Sequence, residues 1–137
     1  FDVITLWHVL EHLPNLEITI QKIEELLSTN GVLIIAVPNF NSFDAAYYKN
    51  YWAAFDAPRH LWHFSRNTMN KLFSDKLVLQ QTKPMIFDSF YVSLLSEKNK
   101  TGTQNLIKAF FIGLLSNISA LKSKEYSSLI YCYKKLK

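Results

Sequence analysis

The chain has 137 residues, of which 49% are hydrophobic and 15% aromatic, and its formal net charge is +4. This composition predicts one folded domain and excludes a disordered chain, which would lack the apolar residues that form a core. Cys132 is the single cysteine, which excludes a disulfide framework and a cysteine metal cluster. No run is typical of a signal peptide or a membrane span, so we expect a cytoplasmic protein. The lysines near the C-terminal end come without a nucleic-acid motif, so we expect no nucleic-acid partner.

The first part of the chain has the pattern of a strand, a helix and a second strand. Residues 1–7 are apolar and rich in β-branched side chains, which is typical of a strand buried on both faces. A helix begins after 14–15, keeps its apolar residues at helical spacing, and ends at 30–31, where a glycine follows an asparagine. Residues 32–37 form a second apolar run. The short links predict a βαβ unit in which the two strands are parallel.

The middle of the chain is irregular. Residues 39–64 are an aromatic loop insertion, within which 44–54 favour a helix. The dense rings in this segment indicate either packing or a ligand surface. Ser65 is typical of an N-cap and predicts a helix that reaches about residue 73. Residues 77–87 alternate between apolar and polar side chains and predict a third strand.

The last part of the chain predicts a helical insertion over 88–124 and a final strand. Within the insertion, 97–104 have the composition of a polar turn, and 105–121 have the spacing of an amphipathic helix. Residues 129–133 are apolar and predict a buried strand. Helices that alternate with apolar strands favour an open α/β sheet with helices on both faces, and a small α+β domain is the alternative.

Three segments in this order resemble a known family. They are FDVITLWHVLEHLPN at 1–15, GVLIIAVPN at 31–39 and the RHLWHFS element at 59–65. Together they resemble the C-terminal part of class I S-adenosylmethionine-dependent methyltransferases, and in particular a bacterial branch of that family. The resemblance implies a partial Rossmann-like open sheet of about four strands, with the first two parallel and the last antiparallel. It also implies that 1–137 are the C-terminal part of a methyltransferase domain.

The glycine loop of that family has no counterpart here. The three glycines are Gly31, Gly102 and Gly113, so the chain contains no GxGxG motif. The sequence also enters its first strand at Phe1 without any lead-in. We therefore expect a fragment that lacks the first βα units of its parent protein. The resemblance then implies methyl transfer to a small-molecule acceptor by the parent, and little activity of the fragment alone.

The expected site lies where the first two strands end, because ligands bind outside the carboxyl ends of the strands in open α/β sheets. The resemblance implies that one set of side chains contacts the S-adenosylmethionine cofactor: Leu6, Trp7, His8, Glu11 and His12. It implies that a second set contacts the acceptor: Asn39, Tyr47, Tyr51, Trp52 and Arg59.

Methyl transfer from a sulfonium depends mainly on holding the acceptor atom and the methyl carbon in line. An oxygen or nitrogen acceptor also loses a proton, which a histidine can take at neutral pH. The candidates for this catalytic role are His8, His60 and His63.

Several of these residues have structural alternatives. Trp7 fits a core ring, and Glu11 fits a first-turn charge that favours the helix dipole. His12 fits a hydrogen bond to the backbone near the helix start. Arg59 fits an ion pair with Asp56.

Two other functions remain open at this point. His8 and His12 are four residues apart, and His60 and His63 are three apart, which are spacings that place two imidazoles on one helical face. These four residues could therefore form a histidine metal site, although no cysteine supports it.

The second alternative is an interaction module. The wide apolar face of 105–121 fits a lid, a dimer face or a contact with a membrane surface. In addition, the exposed edge of the first strand predicts that the fragment associates with itself.

Overall fold

The computed structural model describes residues 1–73 and 76–136. The strands are β1 (Val3–Trp7), β2 (Val32–Pro38), β3 (Leu77–Pro84) and β4 (Ser128–Lys135). The helices are α1 (Leu16–Leu26), α2 (Phe43–Tyr48), α3 (Arg66–Asn70), α4 (Asp88–Thr101) and α5 (Leu106–Ser123). Single 3-10 turns lie at Leu10–His12, Lys49–Tyr51 and Ala53–Phe55.

Within the described residues, the four strands form one sheet in the order β1-β2-β4-β3. β1 is parallel to β2, with Val3 opposite Val32 and Trp7 opposite Ala36. β4 is antiparallel to both β2 and β3. The sequence-based prediction of an open α/β sheet, with two parallel strands and an antiparallel last strand, is therefore confirmed.

The main core lies between the sheet and α1. Leu33 and Ile35 of β2 are completely buried, and Ile23 and Leu27 of α1 pack against the same cluster. The prediction that the first strand is buried on both faces is wrong. Val3, Thr5 and Trp7 are exposed, while Ile4 and Leu6 between them are half-buried against the core. α1 covers the face of Ile4 and Leu6, whereas no element in 1–73 or 76–136 covers the other face of β1.

A second core lies around α2, α4 and α5. Tyr48, Trp52, Val92 and Ile112 are its larger buried side chains. The predicted helix over 44–54 is wrong in extent: α2 ends at Tyr48, and Lys49, with a φ of 50°, turns the chain into two 3-10 turns.

A buried carboxylate joins the parts of this second core. Asp44 is 0% exposed and accepts three hydrogen bonds. The donors are the indole nitrogen of Trp52 at 2.7 Å and the hydroxyls of Ser116 at 2.6 Å and Ser127 at 2.7 Å. The carboxylate of Asp44 therefore connects α2 with Trp52 in the segment after it, with α5 and with the residue before β4.

The insertion between β3 and β4 is an antiparallel pair of helices, which we call the hairpin (88–123). The Nζ atom of Lys108 lies 3.0 Å from the carboxylate of Glu97, and the amide of Asn117 donates to the carbonyl of Ile86. These contacts join the end of α4 to the start of α5, and the residues before α4 to the middle of α5.

The predicted polar turn over 97–104 is only half correct. Glu97 is buried and helical, α4 continues to Thr101, and the turn is limited to 102–105. Two other boundaries also differ. The capping box of Ser65 and Thr68 confirms the predicted helix start, but α3 ends at Asn70, and β3 ends at Pro84.

Candidate active site at the carboxyl end of the sheet

A cleft of about 400 Å³ lies where β1 and β2 end. His8 follows β1, Pro38 closes β2, and both line this cleft. The expectation that both strand ends face one hollow is therefore confirmed. Its polar lining includes His8, Asp56, Arg59, His60, Asp88 and Ser128. Larger grooves lie on α1 and on the hairpin, but titratable side chains from three parts of the chain converge in this cleft.

His8 lies between two carboxylates at the end of β1. Its backbone takes a φ of 51° and its amide donates to the carbonyl of Ala36, so the chain leaves β1 in a sharp turn. The ring nitrogens lie 3.2 Å from the carboxylates of Glu11 and Asp88. The hydrogen bond to Asp88, which has the largest effect, and the hydrogen bond to Glu11 raise the pKa of His8 to about 9. At neutral pH His8 therefore keeps its proton, which fits a link between β1 and α4 better than the predicted role of proton acceptor.

The Glu11-His12 pair holds residues 59–62 of the aromatic loop insertion. Glu11 is 1% exposed, and its backbone carbonyl accepts from the amides of Leu61 and Trp62. Nδ1 of His12 lies 3.1 Å from the carbonyl oxygen of Arg59. The structural alternative for His12, a hydrogen bond to the backbone, is therefore the one seen, although its partner lies in the 59–62 loop.

His60 is the histidine whose geometry suits proton transfer. Its Nδ1 lies 2.8 Å from the carbonyl oxygen of Ala54. A carbonyl can only accept, so in the neutral form of the ring Nδ1 carries the hydrogen and Nε2 has the free lone pair. Nε2 lies 3.8 Å from a carboxylate oxygen of Asp56, and the side chain is 10% exposed at the cleft.

His63 lies outside the cleft. Its ring packs edge-on against Phe55 with the centroids 5.1 Å apart. Burial, and second the neighbouring His60, lower the pKa of His63 below its ordinary value. His63, which was predicted as a catalytic candidate, is therefore not among the residues that line the cleft.

Arg59 reaches the rim of the cleft. Its Nη2 lies 2.6 Å from Oδ1 of Asp56, which is the predicted alternative of a local ion pair. The side chain is nevertheless 76% exposed and lines the cleft. It therefore pairs with Asp56 and also presents a guanidinium face to the solvent of the cleft.

The remaining predicted acceptor residues lie away from the lining of this cleft. Asn39 is buried and donates to Glu125 and to the carbonyl of Tyr126. Trp52 is 2% exposed and belongs to the second core. Tyr47 and Tyr51 are exposed, and the ammonium groups of Lys100 and Lys108 lie over the ring of Tyr47.

The predicted cofactor residues of β1 differ from each other. Leu6 packs against the core of the sheet. Trp7 is 50% exposed at the end of β1 and so offers a ring face at the carboxyl edge of the sheet. The sequence patterns did not indicate Asp88, whose carboxylate pairs with the ring of His8. Its only signal is its place just after a predicted strand, at the start of the insertion.

The four histidines do not form one metal site. His8 lies in a bend and His12 in a single 3-10 turn, so the assumed helical spacing is absent. Among the described residues, one group of Glu11, His12 and His60 has potential ligand atoms within 4.8 Å of each other. The metal alternative is therefore limited to these three side chains.

The open α/β sheet and its cleft place the chain in the class of α/β proteins that bind ligands at the carboxyl ends of their strands. The methyltransferase domain family model matches residues 1–76. The chain therefore belongs to the methyltransferase domain family. No curated protein matches it.

Solved structures share this fold at low sequence identity. A Galdieria sulphuraria protein with the provisional name sarcosine dimethylglycine methyltransferase has a TM-score of 0.57 and 14% identity, over 99% of this chain and 53% of that one. Coclaurine N-methyltransferase bound to N-methylheliamine and SAH has a TM-score of 0.52 and 14% identity, over 98% of this chain and 48% of that one. The [4+2]-cyclase SpnF has a TM-score of 0.55 and 10% identity, over 99% and 50%. The chain thus spans about half the length of these proteins.

Proposed function

We propose that the protein carrying this chain transfers a methyl group from S-adenosylmethionine to a small-molecule acceptor. The observation that carries the proposal is the cleft at the joint ends of β1 and β2, within a chain of the methyltransferase domain family. The fold alone would not decide the reaction, since it is shared with a cyclase. The convergence of His8, Arg59 and His60 at the strand ends adds chemical support.

The residues present fit one side of a cofactor site. The exposed ring of Trp7 at the end of β1 offers a flat apolar surface of the kind that an adenine or a sulfonium can contact. When bound, the cofactor would supply a methyl group that is already activated on sulfur. The chain holds no GxGxG loop for the rest of the cofactor.

We assign three roles to residues of the cleft. Nε2 of His60 accepts the proton that an oxygen or nitrogen acceptor loses. The guanidinium of Arg59 binds an anionic group of the acceptor at the rim. His8 is a positioning residue that fixes the end of β1 to α4.

Calorimetric titration with S-adenosylmethionine tests the cofactor. We expect saturable binding by the natural protein that contains these residues, and little or none by residues 1–137 alone. Absence of binding by the natural protein would remove the methyl-transfer proposal.

The variant His60→Asn tests the proton acceptor. Asparagine can still donate to the carbonyl of Ala54 but cannot take a proton, so we expect kcat to fall by about 10²–10⁴-fold. His63→Asn is the matched control and should change kcat by less than about threefold, because His63 is not among the residues that line the cleft. Unchanged S-adenosylmethionine binding by His60→Asn would show that the fold and cofactor site persist. An unchanged kcat would exclude His60 as the base.

A further inference from the structure

The hairpin has its polar and apolar residues reversed relative to an ordinary surface helix pair. The buried side chains of α4 and α5 are mostly small or polar: Ser89, Val92, Ser93, Ser96, Glu97, Ala109, Ile112, Gly113, Ser116 and Ala120. The exposed face of α5 is apolar over four turns, from Ile107 at 74% exposed to Leu121 at 65%. Soluble proteins rarely leave a continuous apolar surface of this extent without a partner.

The small residues allow the two helices to pack closely without an apolar seam. A Cβ atom on Gly113 would lie 2.9 Å from the Cα of Phe90, so the backbones touch at this point. Close contacts of this kind through small residues are typical of helix pairs whose outer surface faces lipid. The hairpin therefore uses its large apolar side chains on the outside rather than in its own interface.

An apolar groove continues this surface between the helices. It has a volume of about 630 Å³ and lies between Phe87 and Tyr91 of the α4 side and Leu106 and Phe110 of α5. Phe87 and Tyr91 are 77% and 65% exposed. The outer surfaces of α4 and α5 thus form one apolar face, which we call the outer face.

Charge decides which partner this face suits. The hairpin and the residue after it carry five lysines and two acidic residues. Both acids are engaged, Asp88 with His8 and Glu97 with Lys108. Lys98 and Lys100 lie at the turn end of the hairpin, and Lys122 and Lys124 lie at the other end, all exposed. An apolar face with lysines at both ends complements the anionic surface and acyl boundary of a bilayer.

We propose that the outer face of the hairpin docks this protein on an anionic membrane surface, with α5 lying in the plane of the interface. α5 would insert its apolar side chains between the lipid headgroups, and the end lysines Lys98 and Lys122 would contact lipid phosphates. By length and composition α5 is also the one helix among the described residues that could cross a membrane, which is weak grounds for a span. Because α5 makes buried contacts with α2 and α4, an interfacial position is the one that keeps the fold intact. This inference does not depend on methyl transfer.

Vesicle sedimentation of the natural protein is the test. We expect binding to vesicles of mixed phosphatidylglycerol and phosphatidylcholine, weaker binding to pure phosphatidylcholine, and a loss of the difference in high salt. No sedimentation with the anionic vesicles would overturn the proposal.

Two pairs of variants separate the apolar and the charged contributions. Ile107→Ser with Phe111→Ser should weaken binding at least tenfold, because both side chains are more than half exposed on the outer face. The matched control is Ile18→Ser with Leu26→Ser, two exposed residues of α1, which should leave binding unchanged.

The charge variant is Lys98→Gln with Lys122→Gln. Each lysine near an anionic surface is worth about a factor of five, so we expect the double variant to lose about twenty-five-fold in binding, on anionic vesicles alone. Lys71→Gln with Lys83→Gln, two exposed lysines outside the hairpin, is the control. Equal binding by all four variants and the natural protein would overturn the proposal.

Two further results would assign the face to another partner and so reject the membrane. Light scattering that shows a dimer, dissociated by Ile107→Ser with Phe111→Ser, would assign it to a second copy of this chain. Protection of the Phe110 and Phe111 side chains from hydroxyl-radical labelling in the lipid-free monomer, unchanged by vesicles, would assign the face to the rest of the same protein. S-adenosylmethionine titration of the hairpin variants should match the natural protein, so this test and that of the methyl-transfer proposal fail independently.

Discussion

The sheet and the hairpin bury opposite kinds of side chains. In the sheet, Leu33 and Ile35 are completely buried. In the hairpin, Ser96 and Ser116 are buried while Ile107 and Phe111 are exposed. Apolar burial holds the first region together, whereas hydrogen bonds to a buried carboxylate and close helix contacts hold the second. The same chain thus has two cores with different vulnerabilities.

The largest expected effect is the loss of the buried carboxylate. Asp44→Ala leaves the donors of Trp52, Ser116 and Ser127 without an acceptor, so we expect the free energy of unfolding to fall by about 3–5 kcal/mol. Urea denaturation measures this. Asp44→Asn keeps one acceptor oxygen and should cost less. Asp2→Ala removes an exposed acid and is the control. If Asp44→Ala lowers the free energy of unfolding no more than this control does, the hydrogen bonds do not hold the second core.

The same leucine truncation should have unequal effects in the two regions. Leu33→Ala opens a cavity in the sheet core, and we expect a loss of about 2–5 kcal/mol. Leu121→Ala, at a residue 65% exposed on the outer face, should change stability by about 0.5 kcal/mol or less. Thermal and urea unfolding of both variants measures the contrast, and similar losses would contradict it.

Gly113→Ala sets helix propensity against packing. Alanine favours a helix by about 1 kcal/mol over glycine, but its Cβ would clash with the backbone of Phe90. Backbone cannot yield as a flexible side chain can, so we expect a net loss of about 1–3 kcal/mol. Gly102→Ala is a different test at the turn, because Gly102 has a φ of 80° and open space around it. A more stable Gly113→Ala variant would show that the helices separate without cost.

The smallest expected effect is a pH dependence at His8. The pKa of this group is raised from 6.5 to about 9 in the folded protein, so its contribution to stability is complete below pH 6.5 and is lost as the pH rises through about 9. The side chain is 36% exposed, so solvent screening keeps the contribution small. His8→Asn tolerates the positive φ and removes the titration, and should flatten the unfolding free energy over this range. NMR titration of the His8 ring near 6.5 would contradict its pairing with the two carboxylates.

Much of the sheet could be predicted from the sequence, because continuous apolar runs and a bounded amphipathic helix each allow few arrangements. Residues 32–37 and 129–133 therefore became strands β2 and β4 nearly as expected. The exposed face of β1 could not be predicted, since its composition is that of a strand covered on both sides. α4 was also missed in part, because its buried face consists of serines and Glu97 and thus reads as a turn.

The site could be predicted only as far as local chain order fixes it. The positions of His8 and Pro38 follow from the ends of two parallel strands. The partners of each side chain depend on contacts distant in sequence, such as Asp88 with His8 and the carbonyl of Ala54 with His60. Trp52 has the type of side chain that often contacts a ligand, but its hydrogen bond to the carboxylate of Asp44 fixes it in the interior.

The pairing between β3 and β4 ends at the position where the chain leaves the sheet to form the hairpin. Pro84 pairs with Leu129, and the amide of Met85 donates to the carbonyl of Ser128, so the chain leaves and re-enters the sheet at adjacent positions. The turn at 102–105 can therefore change in length without shifting the register of either strand, because both strands are fixed at the base of the hairpin. The hairpin can thus vary in reach at its far end, while Asp88 at its base stays paired with His8 beside the cleft.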